Sequence, residues 1–168
     1  MTTRVFRMSA GKPDPDGIAE AGRILREGGI VAFPTETVYG LAANPDDLAA
    51  MRRLVSLKDR PPASPFTFHL SRREDLGTLV PRVPARARRL LERYWPGPLT
   101  IVLEDSRGGS VGARVPANAI ARALIAAAGV RVVAPSANKR GETPACSADE
   151  VLTALDGPRL LIFAPNGD

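Results

Sequence analysis

The sequence predicts an α/β fold in one domain, with a mixed sheet, flanking helices and functional loops gathered at the strand ends. Three observations lead there. Short apolar runs closed by Pro or Gly alternate with stretches of helical periodicity. A chain of 168 residues, 44% of them hydrophobic, suits one sizeable core. The 15 Gly and 16 Pro stand singly or in pairs between apolar runs, which marks frequent turns rather than a disordered tract.

Taken in order, Ile18, Ala21, Ile24 and Leu25 recur at helical spacing after Lys12-Pro13-Asp14-Pro15, and Gly28-Gly29 supplies the stop. Ile30-Val31-Ala32-Phe33, closed by Pro34, reads as a buried strand. Asp46 or Asp47 caps a second helix with Leu48, Met51, Leu54 and Val55 on one face, ending near Lys58 before Pro61-Pro62. Over 66–70, Phe66, Phe68 and Leu70 point one way and Thr67 and His69 the other, as in a half-buried strand. A third helix is expected over 84–94, then strands over 99–103 and 111–115. Ile120, Leu124 and Ile125 mark a helix that Gly129 closes, followed by a strand over 130–134 ending at Pro135. Ser147 and Glu150 have capping-box spacing for a helix through Leu155, with Gly157 and an apolar run over 160–163 beyond it.

Composition narrows the function classes. The 23 Lys+Arg outnumber 18 Asp+Glu for a net charge of +5, which points to anionic partners, and most of the cations are Arg, suited to bidentate capture of phosphate or carboxylate. One Cys, Cys146, excludes an internal disulfide, and with the single His69 it cannot supply a Cys/His zinc cage. A reducing cytoplasm is the expected compartment. The segment 1–14 has no apolar core of signal-peptide length, and no run approaches the ~18 apolar residues of a membrane span, so no membrane role is expected.

No G-x-x-x-x-G-K-[ST] loop, G-x-G-x-x-G turn or H-E-x-x-H helix is present, so any nucleotide must be held by side chains. Lys58-Asp59-Arg60 offers two cations able to neutralise phosphate oxygens; a solvated helix end with favourable dipole interactions is the competing reading. Ser136-Ala137-Asn138 emerges after an apolar strand, on the usual ligand side of an α/β sheet, or is a turn that satisfies its own backbone. Thr35-Glu36-Thr37-Val38-Tyr39-Gly40 concentrates hydroxyls, a carboxylate and a phenol, suited to a small polar ligand or to a capped turn. Arg114 lies in an apolar strand where an unpaired charge is costly, so a bound carboxylate or a structural Asp/Glu must partner it. Arg82, Arg86, Arg88, Arg89 and Arg93 form a basic stretch that either tracks an RNA backbone or is a solvated helix face.

Together these segments resemble the YrdC-like threonylcarbamoyl-adenylate synthases. The resemblance is carried by Gly29-Ile30-Val31-Ala32-Phe33-Pro34-Thr35-Glu36-Thr37-Val38-Tyr39-Gly40-Leu41, by Lys58-Asp59-Arg60-Pro61 as a K-x-R-P element, and by Tyr94-Trp95-Pro96-Gly97-Pro98-Leu99-Thr100. Ala113-Arg114-Val115-Pro116-Ala117 and Ala134-Pro135-Ser136-Ala137-Asn138 continue it, for coverage of about 18–157 within a single domain over 1–168.

The resemblance implies a twisted mixed (parallel and antiparallel) sheet with flanking helices and a concave basic face. There L-threonine, bicarbonate and ATP, the last as its Mg²⁺ complex without a protein-caged metal, become threonylcarbamoyl-adenylate and pyrophosphate. A partner enzyme then transfers the threonylcarbamoyl group to adenosine 37 of tRNA. It also implies that Thr37, His69, Arg114 and Ala134 contact threonine, while Lys58, Arg60, Ser64, Ser110, Ser136 and Asn138 surround the nucleotide, with Lys58 and Arg60 in the catalytic role. Two departures stand out. Thr143-Pro144-Ala145-Cys146 replaces a P-S-P-T-like run, leaving Thr143 as the substitute hydroxyl, and the family pattern continues past Asp168 into an S-T-[IV] strand and an R-P-G element that close the site. The alternatives are a non-catalytic tRNA- or double-stranded-RNA-binding protein and a related carbamoyl-adenylate chemistry.

Overall fold

The computed structural model describes residues 3–9, 12–59, 61, 65–155 and 160–165. Arg60, Pro62, Ser64 and Gly157, all invoked above, lie outside the described residues.

A four-stranded sheet is formed by β1 (Arg4–Met8), β7 (Leu160–Pro165), β2 (Ile30–Phe33) and β3 (Gly40–Ala42), in that order. β7 lies parallel to both β1 and β2, and β3 runs antiparallel to β2. Period-two alternation divides the side chains between two cores. Val31, Phe33, Leu161 and Phe163 face α1 (Pro15–Arg26) and α4 (Ala119–Ala128), while Ile30, Ala32, Leu41 and Ile162 face α2 (Leu48–Lys58) and α5 (Ala148–Ala154). β2 and β7 are covered on both faces, which is why they read as unbroken apolar runs, whereas the edge strand β1 is largely exposed.

A three-stranded sheet of β4 (Phe68–His69), β6 (Ser110–Arg114) and β5 (Ile101–Glu104) follows, with β4 parallel and β5 antiparallel to β6. Its apolar face carries Leu70, Ile101, Ala113 and Val115 against Ala87 and Leu91 of α3 (Ala85–Tyr94), Trp95, and Leu76 in a 3-10 turn (Arg73–Thr78).

The two sheets are joined by residues 132–136. Ala43 and Val133 exchange backbone hydrogen bonds at 3.0 Å, and Leu41 N donates to Pro135 O at 2.8 Å. On the other side His69 N donates to Val132 O (2.9 Å) and Ala134 N to Thr67 O (3.1 Å). The expected strand over 130–134 is therefore a narrow ladder of isolated bridges shifted toward Pro135, whose missing N–H prevents regular pairing. The result is a mixed α/β fold with helices packed on its sheets, as expected, but the single sheet expected is two sheets joined by these isolated bridges.

The local signals explain the helix ends. Asp14 Oδ2 accepts from Gly17 N, Asp47 accepts from Ala49 N and Ala50 N, and Ser147 Oγ accepts from Glu150 N. Gly129, at φ 62°, closes α4. Two strands had no sequence reading: β1 and β3. Among the described residues no helix is long and apolar enough to cross a membrane.

Candidate active site

The face of the smaller sheet turned away from α3, with the loop at its edge, gathers Thr37, His69, Ser110 and Arg114. In β6, Val111, Ala113 and Val115 point to the α3 core, so Ser110, Gly112 and Arg114 point the other way. Register places His69 of β4 directly beside Arg114. Gly112 leaves a gap in that row, where a Cβ would stand 3.4 Å from Thr67 Oγ1. Ser110 shares the face about 13 Å from Arg114, four residues along the strand.

His69 is buried at 6% exposure, with its ring edge-on to Phe33. Nδ1 stands 3.2 Å from Thr67 O, and because a carbonyl only accepts, Nδ1 carries the proton and Nε2 is left as an acceptor. Burial pushes its pKa down to about 4; the Thr67 carbonyl opposes this and the Arg114 charge adds to it. The imidazole is therefore neutral at physiological pH.

Arg114 has found a structural carboxylate. Its Nη2 donates to Glu36 Oε1 at 2.6 Å and to Thr37 Oγ1 at 3.2 Å, while Glu36 Oε2 accepts from Ala117 N at 3.1 Å. Thr35 Oγ1 donates to Val38 O at 2.6 Å and accepts from Thr37 N, so the loop after β2 is folded on itself before it docks. Burial raises the Glu36 carboxyl pKa, but the Arg114 and backbone N–H donors outweigh it and the net shift is downward. One feature is left over: Arg114 Nε is buried with no hydrogen-bond partner among the described residues. An orphan donor of that kind costs about 1–3 kcal/mol, and a carboxylate is the group that satisfies a guanidinium edge best.

Beyond the ladder lies a second cluster. Lys58, 5% exposed at the end of α2, donates from Nζ to Ser136 O, to Asn138 O (2.7 Å) and to Asn138 Oδ1 (3.4 Å). Ser136 Oγ donates to Asn138 Oδ1 at 2.5 Å, and Asn138 Nδ2 donates to Lys139 O and Glu142 O. The left-handed Asp59 (φ 50°) ends α2 and lets the chain turn away, while Arg140 N donates to Lys58 O. Main-chain bonds from Ala137 N to Tyr39 O (2.7 Å) and from Tyr39 N to Ala145 O (2.8 Å) tie this cluster to the loop that carries Glu36 and Thr37. The Tyr39 hydroxyl donates to Phe163 O, and burial, with Asp149 nearby, pushes its pKa up to about 12.

The structure thus brings Thr37, His69 and Arg114 together, and separately Lys58, Ser136 and Asn138. Ala134 lies between β3 and β4 with its N–H already engaged by Thr67 O. Thr143 is exposed, and the position after Pro144 serves the backbone through Ala145. Glu36 and Gly112 were given no individual role from the sequence. For Glu36 the signal was present: a strand-borne Arg needed an acid, and one stood in the Thr-flanked loop.

The Sua5/YciO/YrdC family model, described as telomere recombination, matches residues 23–165. The chain belongs to this family. The threonylcarbamoyl-AMP synthase of Bacillus subtilis (strain 168) is 38% identical over 154 residues, covering 86% of this chain and 44% of the relative. That of Chromohalobacter salexigens is 39% identical over 158 residues, covering 84% and 85%. The crystal structure of Pyrococcus abyssi Sua5 complexed with L-threonine superposes with a TM-score of 0.87 at 35% identity, covering 99% of this chain and 51% of that one. This Sua5/YciO/YrdC chain therefore spans about half the length of the Bacillus and Pyrococcus relatives and most of the Chromohalobacter one.

Proposed function

We propose that this chain forms L-threonylcarbamoyl-adenylate from L-threonine, bicarbonate and ATP, releasing pyrophosphate, in a cytoplasmic route to threonylcarbamoyladenosine at position 37 of tRNA. The observation that carries the proposal is the orphaned, buried Nε of Arg114 beside neutral His69 and Thr37, one loop away from the cluster of Lys58, Ser136 and Asn138. The names of the relatives support the same reading.

In this reading the threonine carboxylate takes the Arg114 edge, and the amine condenses with bicarbonate to a carbamate with loss of water. A carbamate oxygen, already anionic, then attacks the α-phosphorus of ATP; the new O–P bond forms as the bond to the β-phosphate oxygen breaks and pyrophosphate leaves. No strong base is needed, so positioning and charge neutralisation dominate. In this reading Lys58 and Arg60 are assigned the role of offsetting that charge, Lys58 also holding the Ser136–Asn138 segment in place, and Ser64, Ser110, Ser136 and Asn138 are assigned to the nucleotide. Mg²⁺ enters as part of the nucleotide substrate. A partner enzyme consumes the adenylate on tRNA.

Calorimetric titration with ATP and Mg²⁺, with and without threonine and bicarbonate, combined with a pyrophosphate assay, tests this. Threonine-dependent pyrophosphate release is expected, falling about a hundredfold in Lys58→Ala and in Arg60→Ala. Wild-type turnover in both variants would overturn the residue roles, and no threonine-dependent release would overturn the function.

A further inference from the structure

Arg114 in an open polar face would, alone, attract any small anion. Its charge is already cancelled in place by Glu36, through a 2.6 Å contact between side chains that are 13% and 22% exposed. Glu36 also accepts from the Ala117 N–H at 3.1 Å, a second contact that helps hold its carboxylate in place. The same carboxylate occupies Nη2 and leaves the buried Nε unpartnered among the described residues. With His69 neutral, these three groups sum to zero charge.

We infer that Glu36 is a positioning and specificity residue that presents the Nε edge of Arg114 to a carboxylate while its own charge restricts the pocket to zwitterionic amino acids over net anions. The inference rests on the proposed assignment of Arg114 to the threonine carboxylate. An arriving carboxylate is drawn by Arg114 and repelled by Glu36, and the two nearly offset. A ligand that also carries an ammonium group turns the Glu36 term from repulsive to attractive, which is how a site rejects an isostere by charge alone. Selection of this kind suits chemistry that begins at the amine.

The test compares L-threonine with 2,3-dihydroxybutanoate, which keeps the shape and carboxylate but replaces the amine by a hydroxyl. Both are titrated calorimetrically into the full chain and its variants. The wild type is expected to prefer threonine strongly. Glu36→Gln keeps one acceptor oxygen, enough for Arg114 with the Ala117 N–H left to solvent, and removes the charge, and is expected to reduce that preference about tenfold, mainly by binding the hydroxy acid better. Glu36→Asp keeps the charge but shortens the reach, and is expected to weaken both ligands while preserving the preference. An unchanged preference in Glu36→Gln, with threonine still bound, would overturn this inference alone. Failure of the wild type to bind threonine would instead overturn the functional reading beneath it.

Discussion

The two sheets share a mixed topology but differ in what covers them. In the larger, every β2 and β3 residue is buried, and the two faces supply two separate cores. In the smaller, α3 covers one face only, and the other presents Ser110, Gly112 and Arg114 in one row beside His69, with Val102 of β5 64% exposed. The larger sheet converts apolar burial into stability. The smaller gives up burial on one side and keeps a surface on which charge can be arranged, and the ladder through 132–136 lets the rigid half hold the open half in register.

Substitution in the covered sheet should break this contrast most visibly. Phe33, fully buried, should cost about 3–5 kcal/mol as Phe33→Ala in urea unfolding, whereas Val102→Ala on the open face should cost less than about 0.5 kcal/mol. Comparable losses at the two sites would show that the open face is not open.

His69 sharpens the comparison, because it lies on the open sheet yet is buried. Its folded pKa, about 4, is below the ordinary 6.5, so between those values the unfolded chain binds more protons than the folded one. Stability is therefore full above about pH 6.5 and falls as the pH is lowered toward 4, by up to about 3 kcal/mol. Unfolding curves across that window should flatten in His69→Gln. Glu36, whose carboxyl pKa is lowered, adds a loss at more acidic pH, as protonation releases Arg114.

A smaller effect is expected at Gly112. Gly112→Ala places a Cβ 3.4 Å from Thr67 Oγ1, an ordinary contact, so stability should change by less than about 1 kcal/mol while ligand affinity on that face falls. Calorimetry alongside thermal melts separates the two; an equal fall in both would make Gly112 a packing residue.

Periodicity and capping made most elements legible in the sequence. Ile30-Val31-Ala32-Phe33 read as a buried strand, Ser147 with Glu150 as the start of a helix, and Arg114 in an apolar run as a charge in need of an anionic partner. These follow from local chemistry: backbone groups must be paired, and apolar side chains must find a face. Tertiary structure decided the rest. β3 spans only Gly40–Ala42 and shows no period of its own; it becomes a strand because β2 and residues 132–136 flank it. That Glu36 rather than another acid meets Arg114, and that Lys58 turns inward onto Ser136 and Asn138, depends on contacts between residues 78 to 80 positions apart. Spacing along a chain carries no direction across such distances; only the closed fold supplies it.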